Sequence, residues 1–234
     1  MIGLGKSYWN EVISVLRSVI PVYNKVNKII SLGKDEKFRI NGIKNNVFPN
    51  DLILDAGSGF GNMSLATLEI LHNQVNIVMY DPIFEMLLES KRNNSKFYDK
   101  LFLSSGIFES LPFRNDCFDV VMCGYSLRDA INLEIAISEI HRVLKNGGRF
   151  IIIDLGKPNN RLIRLGVSFY LKYFLSIFAF VVAGKNGLKF KTLYGTFLKW
   201  PKNENLKNML LKKFTKVEFI TKLMGASIIV SAYK

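Results

Sequence analysis

The sequence is poor in the residues that build covalent or metal-held frameworks. Its 234 residues include two cysteines, two histidines and two tryptophans. Cys117 and Cys123 stand six apart and follow no metal-ligand spacing, so they read as free thiols of a reducing cytoplasm. His72 ends one helical pattern and His141 lies inside another, and the chain shows neither a metal constellation nor a nucleophile triad. The first ten residues lack the basic start and apolar run of a signal peptide. Long apolar runs are missing too. The charge-free stretch Tyr173–Gly184 is twelve residues long, and about 20 are needed to cross ~30 Å of hydrocarbon. Acids are almost absent from one region. Gly156–Lys234 holds fifteen Lys and Arg against two acids, whereas Met1–Leu155 has seventeen of each, so the net charge of +13 lies entirely in the C-terminal third. That asymmetry fits an anionic partner surface, nucleic acid or lipid headgroups, or else a solvated lysine-rich face.

What is present is enough apolar material for a core, 49% of residues, in a chain whose length suits one domain spanning 1–234. Residues 1–45 read as N-terminal helices. Apolar positions at helical spacing over 12–32 are interrupted at Pro21, giving two short helices. After a polar stretch, short apolar runs alternate with helical patterns. The runs are Leu52–Ala56, Val75–Tyr80, Leu101–Ser104, Phe118–Cys123 and Phe150–Asp154, without the alternation of a half-exposed strand. The helical patterns fall at 62–72, 83–92 and 131–145. In the last, Leu133, Ile137, Ile140 and Leu144 form one stripe, and Lys145-Asn146-Gly147-Gly148 supplies basic and glycine stop signals. Two final runs, near Val217–Thr221 and Ser227–Ala232, are joined too closely for a helical crossover. The expectation is an α/β fold: a doubly wound, mostly parallel seven-stranded sheet with an antiparallel C-terminal edge. Residues 156–202 form a helical cap inserted before the C-terminal hairpin.

Ligands of such sheets bind at the carboxyl ends of the strands. There, Asp55-Ala56-Gly57-Ser58-Gly59-Phe60-Gly61 turns from a strand into a helix. Its glycines allow close approach, and free N–H groups would bind polar atoms. The spacing is G-x-G-x-G, not the G-x-G-x-x-G of dinucleotide folds. Asp55 would repel a pyrophosphate but suits an ammonium or sulfonium, which favours S-adenosyl-L-methionine over NAD. Asp81, ending the second run, can accept hydrogen bonds from both ribose hydroxyls, or instead cap a helix ahead of Pro82.

One stretch is more specific. It reads Glu109-Ser110-Leu111-Pro112-Phe113, then Phe118-Asp119-Val120-Val121 and Ser126-Leu127-Arg128-Asp129. It continues with Glu139-Ile140-His141-Arg142-Val143-Leu144-Lys145-Asn146-Gly147-Gly148-Arg149 and ends at Asp154-Leu155-Gly156-Lys157-Pro158. With Tyr23–Gly33, similar to Y-D-x-M-N-x-x-x-S-x-G, and Lys222-Leu223-Met224-Gly225, this resembles the ubiquinone/menaquinone biosynthesis C-methyltransferases (UbiE/MenG) over nearly the whole chain. The resemblance implies a class I, Rossmann-like methyltransferase domain. It places Asp55, Gly57, Ser58, Gly59, Phe60, Asp81, Ile107, Phe108 and Gly124 at the cofactor. Phe60 stands where the family has Thr, Asn62 replaces an acid, Ile107-Phe108 replaces a D-A pair at adenine, and Gly124 replaces a Ser. Lys34-Asp35 stands for H-R, and Gly195-Thr196-Phe197 departs from L-P-E-S.

The implied acceptor is lipophilic: a ring carbon ortho to a hydroxyl on a prenylated quinol. Transfer then needs alignment and ionisation of that hydroxyl. Arg128 and Asp129, matching the family's L-R-N, are the catalytic candidates. Arg128 would stabilise the phenolate and Asp129 take or relay its proton, unless the two form a structural ion pair or a helix cap. In the cap, Phe169–Val182 is the most aromatic segment, flanked by Arg161, Arg164, Lys185, Lys189 and Lys191. Either it merely covers the sheet, or it is a substrate lid resting on an anionic membrane, peripheral to the inner face. RNA is disfavoured as a partner because the basic residues flank an apolar segment and are not interleaved with stacking residues. The rival functions are transfer to another lipid or small-molecule acceptor, and a non-catalytic module that binds the cofactor.

Overall fold

The computed structural model describes residues 2–20, 33–174 and 191–234. The helix break at Pro21, the Tyr23–Leu32 motif and the cap segment 175–190 with Lys185 and Lys189 lie outside them. Helix α1 (Lys6–Val19) starts earlier than the periodicity predicts and ends just short of Pro21. α2 is Asp35–Ile43. Strands and helices then alternate as expected: β1 (Leu52–Ala56), α3 (Asn62–Ile70), β2 (Asn76–Tyr80), α4 (Phe84–Asn93), β3 (Leu101–Ser104), β4 (Phe118–Gly124), α5 (Leu133–Val143) and β5 (Leu144–Leu155). The chain closes with α6 (Arg161–Phe169), a π-type turn at Tyr170–Phe174, α7 (Lys191–Lys199), α8 (Asn203–Leu211), β6 (Lys216–Lys222) and β7 (Ser227–Tyr233).

The seven strands form one sheet in the order β3-β2-β1-β4-β5-β7-β6. The first five are parallel, and β7 runs antiparallel to both β5 and β6. The antiparallel edge follows from the tight Leu223–Gly225 turn, where Met224 and Gly225 both take positive φ. Residues alternate across the central strands into two cores. Leu54, Val121, Phe150 and Ile152 pack with Ile137 and Ile140 of α5 and Leu206 and Leu210 of α8. Ile53, Val120, Met122 and Ile151 face Phe38 of α2, Leu68 of α3 and Leu87 of α4. A sheet covered on both faces accounts for strands without polar alternation.

Two boundaries differ from expectation. α5 begins at Leu133 because Asn132 caps it, its side chain accepting from the N–H groups of Glu134 and Ile135. It ends at Val143, so Lys145-Asn146-Gly147-Gly148 does not close the helix but lies inside β5. There the register jumps from Phe118↔Leu144 to Val120↔Arg149, a bulge admitted by Gly147 at φ 75°.

In the cap, Leu155, Leu171 and Phe197 pack with Val167, Tyr170 and Tyr194. Trp200 Nε1 donates to Leu155 O at 3.0 Å, tying the cap to the end of β5. The parallel register brings Ala56, Tyr80 and Gly124, the carboxyl ends of β1, β2 and β4, to one rim of the sheet.

Candidate functional site

A cleft opens at that rim. It is lined by the Asp55–Phe60 turn, Asp81, Ile107, Phe108, Gly124 and Asp129, and roofed by Trp9, Ile13 and Leu16 of α1. All nine residues that the sequence assigns to the cofactor therefore meet in one place, though they come from four separate segments of chain.

The glycine turn is built differently from the sequence expectation of free N–H groups. Gly57 and Ser58 N–H donate to Tyr80 O, Gly59 N–H to Asp81 Oδ2, and Gly61 N–H to Ser58 O. The Gly57, Ser58 and Gly59 donors pin the turn to the end of β2, and these three N–H groups are therefore already engaged. Gly57 is required: at φ 68° an added Cβ would come within 2.5 Å of Ser126 Cβ. Gly61 gives α3 no side-chain cap. Asp55 supplies one from the strand, its Oδ2 accepting from Ser64 N–H and Oγ–H at 3.1 and 2.6 Å. Asp55 Oδ1 and Ser58 Oγ are buried with no hydrogen-bond partner.

Asp81 accepts from Ile83 N–H through Oδ1 at 2.8 Å and from Gly59 N–H through Oδ2 at 2.9 Å. It therefore makes the turn ahead of α4 and still faces the cleft, with lone pairs to spare. Burial pushes the Asp55 carboxyl up to about 7, against the pull of Ser64, with Asp81 adding repulsion and Arg39 opposing it. Burial likewise raises Asp81 to about 6 despite its two N–H donors. Asp129 rises to about 6 through burial, opposed by Arg128 and helped by Asp154 and Asp81.

Three buried carboxyls face this cleft with pKa values raised by burial, and a cationic ligand would favour their ionised forms. The unpartnered Asp55 Oδ1, the Ser58 hydroxyl and the apolar roof fit the ammonium, sulfonium and adenosine parts of S-adenosylmethionine. Phe60 packs with Ile13, Ile83 and Met86 in the cleft wall. At Gly124, an added Cβ would overlap Met63 Cγ, so Met63 occupies the space a larger residue there would fill.

The two catalytic candidates separate. Asp129 lines the cleft, whereas Arg128 does not. Arg128 Nη1 donates to Asp154, which is fully buried, and Arg128 Nε lies 3.9 Å from Asp129 Oδ1. Of the readings open to the sequence, the ion pair describes Arg128, and the helix cap belongs to Asn132, not to this pair.

Sequence reasoning missed Arg39 and Tyr125, which line the same cleft, and the roof on α1. The roof carried a signal, since Trp9, Ile13 and Leu16 repeat at helical spacing. Arg39 carried none, being one basic residue on a polar helix. Beside the cleft lies an apolar cavity of about 420 Å³, with Phe38, Leu155, Ile163, Val167, Tyr170 and Leu223 in its wall. Tyr125 is a wall of both cavities.

Residues 4–234 match the model of the ubiE/COQ5 methyltransferase family. The chain is 34% identical over 180 residues to a demethylmenaquinone methyltransferase of Symbiobacterium thermophilum, covering 75% of this chain and 71% of that one. It is 31% identical over 223 residues to the demethylmenaquinone methyltransferase of Lactobacillus johnsonii, covering 94% and 91%. A solved structure of similar fold is a putative S-adenosyl-L-methionine-dependent methyltransferase from Methanococcus maripaludis, with TM-score 0.62, 18% identity, and 92% and 91% of the two chains covered.

Proposed function

The chain belongs to the ubiE/COQ5 methyltransferase family and is an S-adenosylmethionine-dependent methyltransferase, and from that premise we propose that its acceptor is a prenylated naphthoquinol, methylated on ring carbon. The observation that carries this reading is the apolar cavity walled off from the cofactor cleft by Tyr125. Its lining is almost wholly aliphatic and aromatic, and its size suits a lipid tail held beside a ring at the reaction centre. The two demethylmenaquinone methyltransferases similar to this chain act on the same class of ring by name.

In this reading Asp55 and Ser58 hold the amino-acid end of the cofactor and Asp81 its ribose. Ile107 and Phe108 flank adenine, and Gly124 with Met63 closes the floor. The bound cofactor supplies a methyl group on a sulfonium that is already a good leaving group. The chain's own residues align the acceptor and take its proton. Asp129 is the base: it faces the cleft, its Oδ1 has no hydrogen bond, and with a pKa near 6 it is ionised at neutral pH yet basic enough to accept a proton. The hydroxyl proton passes to Asp129. The cleft residues would hold the ortho carbon against the methyl-donating end of the bound cofactor, and the ring proton that the methyl replaces would leave to water. Arg128, held on Asp154, is a positioning residue acting through Asp129.

The same reading places α6 on an anionic membrane. Its inner face, with Ile163, Val167 and Tyr170, lines the apolar cavity. Its outer face exposes Leu162 (78%), Leu165 and Phe169 beside Arg161 and Arg164, and Met224 (79%) stands exposed at the cavity wall. A helix apolar on both sides with basic residues between them suits insertion into headgroups, where a prenylated substrate resides. No helix among the described residues is long and apolar enough to cross a membrane.

The test offers S-adenosylmethionine with labelled methyl to a reduced 2-prenyl-1,4-naphthoquinone in detergent, beside sterol, small-metabolite and RNA pools. Label in the naphthoquinol supports the reading. Label in another pool, or none in the naphthoquinol while cofactor binds, overturns it.

A further inference from the structure

The cleft has a mismatch of charge. Among the described residues its lining carries three carboxyls, Asp55, Asp81 and Asp129, and one cation, Arg39. An acceptor that gives its hydroxyl proton to Asp129 leaves negative charge on the ring oxygen, which a cation beside that oxygen would stabilise. Arg128 cannot receive it, because its guanidinium is bonded to Asp154 outside the lining.

Arg39 is placed to do so. It extends from α2 and is only 6% exposed. One nitrogen, Nη1, donates to Asp35 at 2.6 Å, while Nε is buried with no hydrogen-bond partner. The guanidinium carbon lies 5.1 Å from the centre of the Tyr125 ring. The Tyr125 hydroxyl is likewise buried without a partner. Each of these buried donors left unpaired is costly in free energy, and a ligand oxygen that accepts from it would offset that cost.

The backbone points the same way. Tyr125 follows β4 at φ 63°, a conformation a bulky residue avoids, and its N–H is fixed by Ile153 O at 2.7 Å. The ring lines both the cofactor cleft and the apolar cavity. Observed strain of this kind marks functional positions. Phe38 and Arg39, successive on α2, then face different tasks: Phe38 lines the apolar cavity and Arg39 the cleft.

We propose that Arg39 and Tyr125 form an oxyanion site for the acceptor, the guanidinium and the phenol hydroxyl donating to the ring oxygen as it ionises. The site rests on the methyltransferase reading above and assigns the stabilisation of the phenolate to Arg39 and Tyr125, leaving proton removal to Asp129. The charges that face it are Asp35 on α2, Asp55 at the end of β1, Asp81 after β2, and the Arg128–Asp129–Asp154 group beyond Tyr125.

The probe is 1-naphthol, a phenolic acceptor analogue, titrated by absorbance on the protein saturated with S-adenosylhomocysteine, which carries no methyl to transfer. Bound to the wild type, it should ionise about one pH unit or more below the free phenol, about a tenfold shift in equilibrium. Tyr125→Phe removes one oxygen and should return most of that shift. Arg39→Gln should return it fully, and Arg39→Lys, which keeps the charge, should restore part of it. With the 2-prenyl-1,4-naphthoquinol, Tyr125→Phe and Arg39→Gln should lower kcat about tenfold or more, with KM for S-adenosylmethionine within about twofold of wild type. A naphthol titration identical in wild type and Tyr125→Phe, with kcat unchanged, overturns the proposal even where Arg39→Gln fails to fold. If the wild type transfers no methyl to the naphthoquinol yet still depresses the naphthol pKa, the quinol reading falls and the oxyanion site stands for another phenolic acceptor.

Discussion

In the proposed reaction Asp129 carries the proton chemistry of this cleft, and Gly124 helps set its shape. With its carboxyl raised to about 6, Asp129 is protonated and useless as a base below that pH. With S-adenosylmethionine saturating, the acid limb of kcat/KM for the acceptor should therefore fall near pH 6, and Asp129→Asn should remove that limb while lowering kcat about 10²- to 10⁴-fold. A pH–rate profile of the two proteins checks it; a wild-type limb that survives in the variant assigns the proton elsewhere. Gly124 illustrates compensation. Because a Cβ there would overlap Met63, Gly124→Ser should destabilise the fold by about 1–3 kcal/mol. Met63→Ala in the same chain should relieve the overlap, so denaturant unfolding of the double variant should show less than the sum of the two single losses. At this scale the sequence was readable wherever a residue type answers a backbone or charge requirement, as with Asp55, Gly57 and Asp81. It does not reveal the partners of the turn's N–H groups, because Tyr80 O, which accepts from Gly57 and Ser58, and Asp81, which accepts from Gly59, are brought near by sheet pairing.

Elements were legible in proportion to how locally they are determined. The parallel strands announced themselves by unbroken apolar runs, because helices cover both faces of the sheet. The helix-stop chemistry of Lys145–Gly148 predicts a longer α5 than is observed, because pairing with β4 draws the chain into strand from Leu144 onward. α6 is the element with most to test. Its Leu162, Leu165 and Phe169 are exposed, yet the opposite face lines the apolar cavity. Changing Leu162 and Leu165 together to Asp leaves the core untouched, so thermal stability should stay within about 0.5 kcal/mol of wild type. Co-sedimentation with vesicles containing phosphatidylglycerol should drop about tenfold or more, whereas transfer to a detergent-solubilised short-chain acceptor should persist. Equal sedimentation of both proteins would detach α6 from the membrane reading.

The whole molecule couples its stability to the cation it binds. Asp55, Asp81 and Asp129 all have folded pKa values above their ordinary 3.8, at about 7, 6 and 6. In each case the folded state holds protons more tightly than the unfolded chain. Their contribution to stability is complete below pH ~4 and is lost as pH rises through ~6–7. For Asp55, a shift from 3.8 to about 7 corresponds to a loss of the order of 4 kcal/mol at neutral pH. A cationic ligand reverses this, because its charge stabilises the ionised carboxyls it touches. The thermal shift produced by S-adenosylmethionine should therefore grow from pH 5 to pH 8, contrary to a ligand whose site does not titrate. Asp55→Asn keeps an acceptor for Ser64 and removes the charge. Without ligand, that variant should be more stable than wild type at pH 8 and about equal at pH 4. Its shift with S-adenosylmethionine should be nearly abolished at both. Scanning calorimetry of the two proteins at the two pH values reads all of these at once. A wild-type shift that shrinks with pH would mean that the buried carboxyls serve the fold and not the cofactor.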